Sequence, residues 1–425
     1  MTGRESARAG AAQRPRSAQP RTGLALAGGG PLGGIYEVGT LLALADSIEG
    51  LDFNALDVYV GVSSGSFVAA ALANGISPAQ MYRLFIDDGR DAALKPELFL
   101  RPALREFARR LGGLPSLALH AALQYLRDPL RRGMMESFAT LARAVPTGMF
   151  DNRAVDDFLR CLFAAPDRTN DFRRLASRLY LVATNLDTGQ SVVFGAPGFD
   201  DVPISRAIGA SSALPGLFPP VEIHGQHYVD GALNKTLHAS LALDRGVDLL
   251  FCVNPLVPFD AQSAHRRGGR LTVQKLDRGG LPIVLSQTFR AIIHSRMKVG
   301  MEKYATQYPQ ADILLFEPAR EDVEMFFARV FSYSQRRRIC TLAFDSTREY
   351  LARNAATLAP ALQRHGMRLR ADRVGDPERK VAKALNDPRP LHAGTTRATI
   401  RSTKRDLEHA LAHLERELAA MGAAH

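Results

Sequence analysis

Short, wholly apolar runs that end in glycine or a tight turn alternate with helical stretches at the start of the chain. TGLALAG (22–28) suits a strand buried on both faces, and GGGPLGG follows it as a turn. Residues 35–48 read as a helix. DVYVGV (57–62) is a second strand that runs through two serines into the helix FVAAALANG, stopped by Gly75. The repeated strand–turn–helix order predicts an α/β protein. Residues 77–178 read as mostly helical, an insertion into that order. Strands resume at LYLVATNL (179–186), with SVVFG (191–195) as a hairpin partner across Asp187-Thr188-Gly189. The stretch 205–221 reads as a helix broken by Pro215, HYVDGAL (227–233) as a strand end and turn, and 248–255 and 312–318 as buried strands. Residues 259–280 read as a Gly/Arg-rich mobile loop, 334–365 as a helix and 372–400 as a Pro/Arg-rich linker. Leu407, Leu411, Leu414, Leu418 and Met421 then mark a terminal helix with Thr403 as its N-cap, too short for an autonomous coiled coil.

These elements predict four regions: a disordered basic arm (1–21), an α/β body (22–320) holding the insertion, a helical C-terminal region (321–371), and a basic linker with an amphipathic helix (372–425). Composition adds limits. No apolar run approaches the ~18 residues of a membrane-spanning helix, and the Arg-rich N-terminus lacks the apolar segment of a secretory signal. Cys161, Cys252 and Cys340 are too few and too far apart for a disulfide framework or a Cys-based zinc site. A reducing, cytoplasmic setting is therefore expected. The net charge of +11 sits at the ends, with +4 on residues 1–21 and +8 on 331–425, while the body between is −1. Such ends attract an anionic surface. No nucleic-acid motif accompanies them, so the expected contact is peripheral, with an anionic membrane. In the insertion, Leu100, Leu104, Phe107 and Leu111 form an apolar stripe beside Arg101, Arg105 and Arg109, a second candidate for that contact. The simpler reading packs this helix on the body.

Gly61-Val62-Ser63-Ser64-Gly65 is G-x-S-x-G between an apolar strand and an apolar helix. That context makes it a nucleophile elbow, which lifts the Ser63 hydroxyl above the sheet edge. Gly28-Gly29-Gly30-Pro31-Leu32-Gly33 matches G-x-G-x-x-G. A dinucleotide site would want an acid at the end of the next strand, and a phosphate-binding loop would want Lys-Ser/Thr after the glycines; neither is present. Backbone amides opening a helix beside a nucleophile instead suit an oxyanion hole. A serine needs a base. His120, His224, His227, His238, His265 and His294 all lack a recognisable hydrolase context. Asp230 closes an apolar strand before Gly231-Ala232, and is either a direct base or a turn-capping residue. Asp187-Thr188-Gly189 is a single triplet in an alternating apolar context, a hairpin turn rather than half of an aspartic-protease site. Asp151 or Asn152 is expected to cap a helix over 153–163. No metal-ligand cluster is visible, and IDDGRD (86–91) lacks the alternation of a calcium loop.

GGGPLGG, GVSSG and DGA, in that order, with GASSALPGLFPPV just before DGA, resemble the patatin-like phospholipase family over residues 24–243. The resemblance implies a three-layer α/β/α acyl hydrolase using a Ser–Asp dyad, without catalytic histidine, metal or cofactor. Carried over, Ser63 corresponds to the nucleophile, Asp230 to the proton acceptor, and the amides of Gly28, Gly29 and Gly30 to the oxyanion hole. Gly33, Gly61, Gly65, Gly231 and Ala232 complete the motifs. Leu32 departs from the Arg or Lys that members often carry, which puts in doubt contacts of that side chain but not the backbone donors. The implied substrate is an acyl lipid, whether phospholipid, neutral lipid or polyester granule. A catalytically idle, lipid-binding scaffold is the alternative, and oligomeric state is left open.

Overall fold

The computed structural model describes residues 21–87, 147–235, 237–266, 276–322, 325–326 and 335–386. Strand β1 (Thr22–Leu26) lies at the centre of the sheet, parallel to β3 (Val58–Val62) on one side and to β8 (Leu249–Val253) on the other. Its apolar run faces two cores. Leu24 and Leu26 enter one hydrophobic cluster and Ala25 and Ala27 a second; β8 divides likewise, with Phe251 in the first and Cys252 in the second. Both faces are thus covered, which is why these strands are continuous apolar runs rather than alternating ones.

Parallel pairing continues from β3 to β4 (Arg178–Asn185) and from β8 to β9 (Asp312–Phe316). Beyond β4 the sheet turns antiparallel through β5 (Ser191–Phe194), β6 (Val221–Ile223) and β7 (Gln226–Asp230). The fold is the expected α/β/α arrangement, with a mostly parallel eight-stranded sheet between helices. Asn185 Oδ1 accepts from the amides of Asp187 and Thr188, holding the β4–β5 turn. The β6–β7 hairpin turns on His224 and Gly225, both at positive φ.

Helix α1 (Gly30–Ser47) begins inside the glycine run, five residues before the predicted start, and α2 (Ser64–Ala73) follows the elbow. The helix α3 (Arg153–Phe163) opens at Asn152, but Asp151 supplies the side-chain acceptor, taking the Arg153 N–H at 3.0 Å. Helix α4 (Ile204–Ser211) stops short of the predicted break at Pro215, because the Ala213 carbonyl accepts the Asp230 N–H at 3.0 Å and so serves β7. The stretch 259–280 is not a single loop: Ala261–Arg266 is a short helix and α5 (Gly280–Gln307) starts at its end. The predicted helix 334–365 is two, α6 (Arg336–Arg353) and α7 (Ala355–Arg364). Between them the Asn354 side chain donates to Tyr350 O at 2.8 Å, competing with the helical ladder.

Helices α1 and α6 pack closely at Gly39, where a Cβ would lie 2.4 Å from Cys340 O. The region read as a linker from 372 begins as packed structure. Short helices at Ala371–Val374 and Val381–Asn386 follow β10 (Arg368–Leu369), which pairs with β2 (Ile48–Glu49). The basic arm 1–20, the arginine ridge at 101–109, His120 and the terminal helix lie outside the described residues. Among the described residues no helix is long and apolar enough to cross a membrane.

Candidate active site

Strand β4 brings the two halves of the site together. β5 pairs with residues 181–184 of β4, β3 with 178–182, and β7 with 183–185. Each strand residue has only two edges, so β3 and β7 share the edge that β5 leaves. They run toward each other and stop at consecutive positions, Val62 opposite Val182 and Asp230 opposite Ala183. The residue after one strand end and the last residue of the other therefore meet. Ser63 Oγ donates to Asp230 Oδ2 at 2.6 Å, across 167 residues of sequence.

Ser63 has φ 53° and ψ −125°, a conformation costly for a non-glycine residue and typical of positions that a surrounding structure over-determines. The glycines around it permit the turn. A Cβ on Gly61 would lie 2.5 Å from Ser66 Cα, and one on Gly65 2.7 Å from both Ala27 O and Leu26 Cβ. The strain is held by hydrogen bonds: Ser66 N–H donates to Ser63 O at 2.9 Å, and Ser63 N–H donates to Ser211 Oγ at 2.9 Å. Ser211 Oγ in turn donates to Val182 O at 2.6 Å. Ser211 was not singled out by sequence reasoning, although it lies in the GASSALPGLFPPV stretch; only the packing of α4 against β4 shows what it does.

Asp230 is buried, and its Oδ1 accepts the Ala232 N–H at 2.9 Å. Burial pushes its carboxyl up to about 6, against the opposing pull of the Ser63 hydroxyl and the Ala232 amide. A cap and a proton acceptor are thus not exclusive roles: one carboxyl oxygen holds the turn and the other holds Ser63. A Cβ on Gly231 would lie 2.2 Å from Val182 O, so only glycine lets the chain leave β7 here.

The glycine run borders the same point. A Cβ on Gly28 would stand 2.8 Å from Ser63 Cβ and 3.2 Å from Ala232 Cβ. Gly29 and Gly33 face Pro255, while Gly30 adopts φ 63° at the start of α1. Ala27 N–H donates to Val253 O and Gly33 N–H to Gly29 O; among the described residues the amides of Gly28, Gly29 and Gly30 have no acceptor. Leu32 is buried in the core.

No described histidine side chain reaches Ser63 Oγ. His224 and His227 are exposed beside Asp201 and Asp187. His238 is buried, and that burial lowers its imidazole to about 3. His294 lies 3.7 Å from Glu317. The His265 side chain lies outside what is described. Among the described residues no group of His, Cys, Asp or Glu could hold a metal ion.

Among solved structures, the chain is similar to VipD from Legionella pneumophila, at 13% identity and TM-score 0.33 over 82% of this chain and 80% of that one. It is similar to the type III effector ExoU of Pseudomonas aeruginosa, at 16% identity and TM-score 0.35 over 94% and 64%. A third is human GIVD cytosolic phospholipase A2, crystallised with methyl gamma-linolenyl fluorophosphonate, at 14% identity and TM-score 0.31 over 82% and 59%. The chain spans less than two thirds of the length of these last two. The family model for patatin-like phospholipases matches residues 24–243, more than half of the sequence. The chain belongs to the patatin-like phospholipase family of lipid-hydrolysing enzymes.

Proposed function

We propose that this chain is a lipid acyl hydrolase that cleaves carboxylic esters through Ser63 and Asp230, by way of an acyl-serine. The 2.6 Å hydrogen bond from the Ser63 hydroxyl to a buried carboxylate carries this reading. A hydroxyl is a weak nucleophile until a base takes its proton. A carboxyl held near 6 accepts a proton more readily than one in water and is still ionised at neutral pH.

As Ser63 Oγ attacks the ester carbonyl, its proton passes to Asp230 Oδ2. The resulting oxyanion is stabilised by amides of the Gly28–Gly29–Gly30 run, each such donor contributing roughly 3 kcal/mol. The partial positive charge at the N-terminus of α2, directly behind Ser63, acts in the same direction. Collapse of the intermediate expels the alcohol, which takes the proton from Asp230. Water then attacks the acyl-Ser63 while Asp230 accepts its proton; as the second intermediate collapses, the bond from the acyl carbon to Ser63 Oγ breaks, Asp230 returns that proton to Ser63 Oγ, and the acid leaves. The contact of Ser63 with Asp230 and the close approach of Gly28 to Ser63 support this assignment of roles.

A fluorophosphonate ester applied to the native chain tests the reading. Covalent label at Ser63, lost in Ser63→Ala, is the expected result. Folded protein that takes no label, or takes it elsewhere, overturns the assignment and favours an idle lipid-binding scaffold. Lipid extracts from cells expressing the parent and Ser63→Ala forms separate phospholipid from neutral-lipid or polyester substrates.

A further inference from the structure

Helix α5 is apolar on two sides over its first half. The inner side is anchored. Gln287 Oε1 accepts the Phe259 N–H at 3.0 Å while its Nε2 donates to Phe259 O at 2.9 Å. Arg290 lies over the Phe326 ring and donates to Val257 O at 3.3 Å, and Tyr304 joins the core under the sheet. The outer side carries Leu281, Val284, Leu285, Phe289, Ile292 and Val299. These are six of the ten large hydrophobic residues exposed among the described residues; Leu281 is 69% and Phe289 52% exposed. At 3.6 residues per turn, Leu281, Leu285, Ile292 and Val299 fall within about 40° of one another, in a stripe ~27 Å long. An apolar surface of this extent marks an interaction site.

The stripe's surroundings select the partner. Arg296, Lys298 and Lys303 are exposed on the following turns, and Glu302 is the single acid of the helix. The Arg296 guanidinium also donates to the carbonyls of Asn234 at 3.3 Å and Leu233 at 3.5 Å, just past Asp230, so α5 adjoins the candidate active site. A second copy of the same face would set like cations against one another, which disfavours self-association. An anionic bilayer supplies both complements at once, an apolar boundary and, immediately above it, a plane of phosphates.

We infer that the outer face of α5 docks on an anionic phospholipid bilayer, with the Leu281–Val299 stripe in the acyl–headgroup boundary and Arg296, Lys298 and Lys303 at the phosphates. This moves the expected membrane contact from the basic ends to the folded body. It rests on the acyl-ester reading in one respect: it places the site beside the surface that holds such esters.

The chain contains no tryptophan, so Phe289→Trp introduces a single reporter. Its emission is expected to shift to the blue, with quenching by brominated lipid, when phosphatidylcholine–phosphatidylglycerol vesicles are added. In full-length protein carrying Ser63→Ala, the triple change Leu285→Ser, Phe289→Ser and Ile292→Ser is expected to lower co-sedimentation with these vesicles at least ~10-fold. Lys298→Gln with Lys303→Gln is expected to lower it several-fold at low salt only, and only when phosphatidylglycerol is present. With Ser63 intact, the triple change leaves hydrolysis of a water-soluble short-chain ester near the parent rate. An unshifted reporter, or vesicle binding unaltered by the triple change, overturns the inference. So does a parent dimer that the triple change dissociates without loss of vesicle binding, which would make the face a self-interface. Failure of soluble-ester hydrolysis in the parent would instead overturn the hydrolase reading, and leaves the vesicle result to be judged by itself.

Discussion

Asp230 and Asp46 are both buried aspartates, and their surroundings differ in kind. Asp230 closes β7 and is bonded by a hydroxyl and an amide, both uncharged. Asp46 sits in the last turn of α1, where the helix dipole disfavours a carboxylate. Two guanidiniums offset that cost: Arg373 Nη1 lies 2.8 Å and Arg379 Nη2 2.6 Å from Asp46 Oδ1. Arg348 tightens the same region by donating to the carbonyls of Arg373, Val374, Asp376 and Arg379. Burial without countercharge raises a carboxyl's proton affinity, which suits exchange of a proton. Burial with countercharge fixes a charge in place, which suits a clamp. The Asp46 cluster holds residues 370–380 on α1; the Asp230 cluster holds a serine hydroxyl.

The largest expected contrast is in catalysis. Ser63→Ala should abolish ester turnover, and Asp230→Asn should lower kcat/KM by about 10²–10⁴-fold. Asp46→Ala should retain the parent kcat/KM per folded molecule. An Asp46→Ala protein that is fully folded yet inactive would break the comparison. Stability should show the converse. Asp46→Ala removes the carboxylate that Arg373 and Arg379 share, at an expected cost of about 1.5–3 kcal/mol. Denaturant titration at neutral pH measures it.

The pH dependence sharpens the contrast further. Folded Asp230 keeps its proton up to about pH 6, whereas an unfolded aspartate loses it near 3.8. Between these values the folded state binds more protons, so Asp230 lowers stability as pH rises through the window, by on the order of 3 kcal/mol in all. Above about 6 that penalty is constant. Asp230→Asn should therefore be more stable than the parent at pH 8, the gap closing as pH falls toward 4, and the parent's kcat/KM should rise with pH through about 6. Parallel stability–pH curves for the two proteins would show that Asp230 is not strained by desolvation.

Ser211→Ala is expected to have a smaller effect. It leaves the buried Ser63 N–H without its acceptor, at a cost of about 1–3 kcal/mol. It should also lower kcat roughly 10-fold through loss of the elbow's geometry, with KM little changed. The smallest effects belong to His224→Ala and His227→Ala, exposed residues whose loss should change stability by no more than about 0.5 kcal/mol and leave turnover near the parent value. A histidine variant as damaging as Asp230→Asn would replace the Ser–Asp assignment with a Ser–His one.

Local chemistry makes much of the body legible in the sequence. The apolar runs at 22–28, 57–62 and 248–255 are strands because both faces of the sheet are buried, and burial on two faces leaves a continuous hydrophobic signature. The elbow is legible because everything it needs, a glycine-flanked serine between an apolar strand and a helix, lies within a few consecutive residues. Helix α5 left no such signature: apolar residues fall on both its inner and outer sides, so no single amphipathic stripe stands out over its length. The first turn of α1 is hard to read from the sequence because glycines and a proline occupy it and no side chain caps it.

The sequence alone determined that Ser63 would stand at a strained strand end, since that depends on neighbours within a few residues; that the Gly28–Gly30 run lies beside it depends on β1 pairing with β3. The sequence left Asp230 between two roles. Only the tertiary structure decided that this carboxylate meets Ser63, because the meeting depends on β3 and β7 ending at consecutive positions on one edge of β4. It likewise decided that Ser211 holds the elbow and that Asp46 binds arginines more than 300 residues away. Periodicity reports which side of an element is buried; it carries no information about which distant element arrives there, because the register of long-range pairing is set by the packing of the whole sheet.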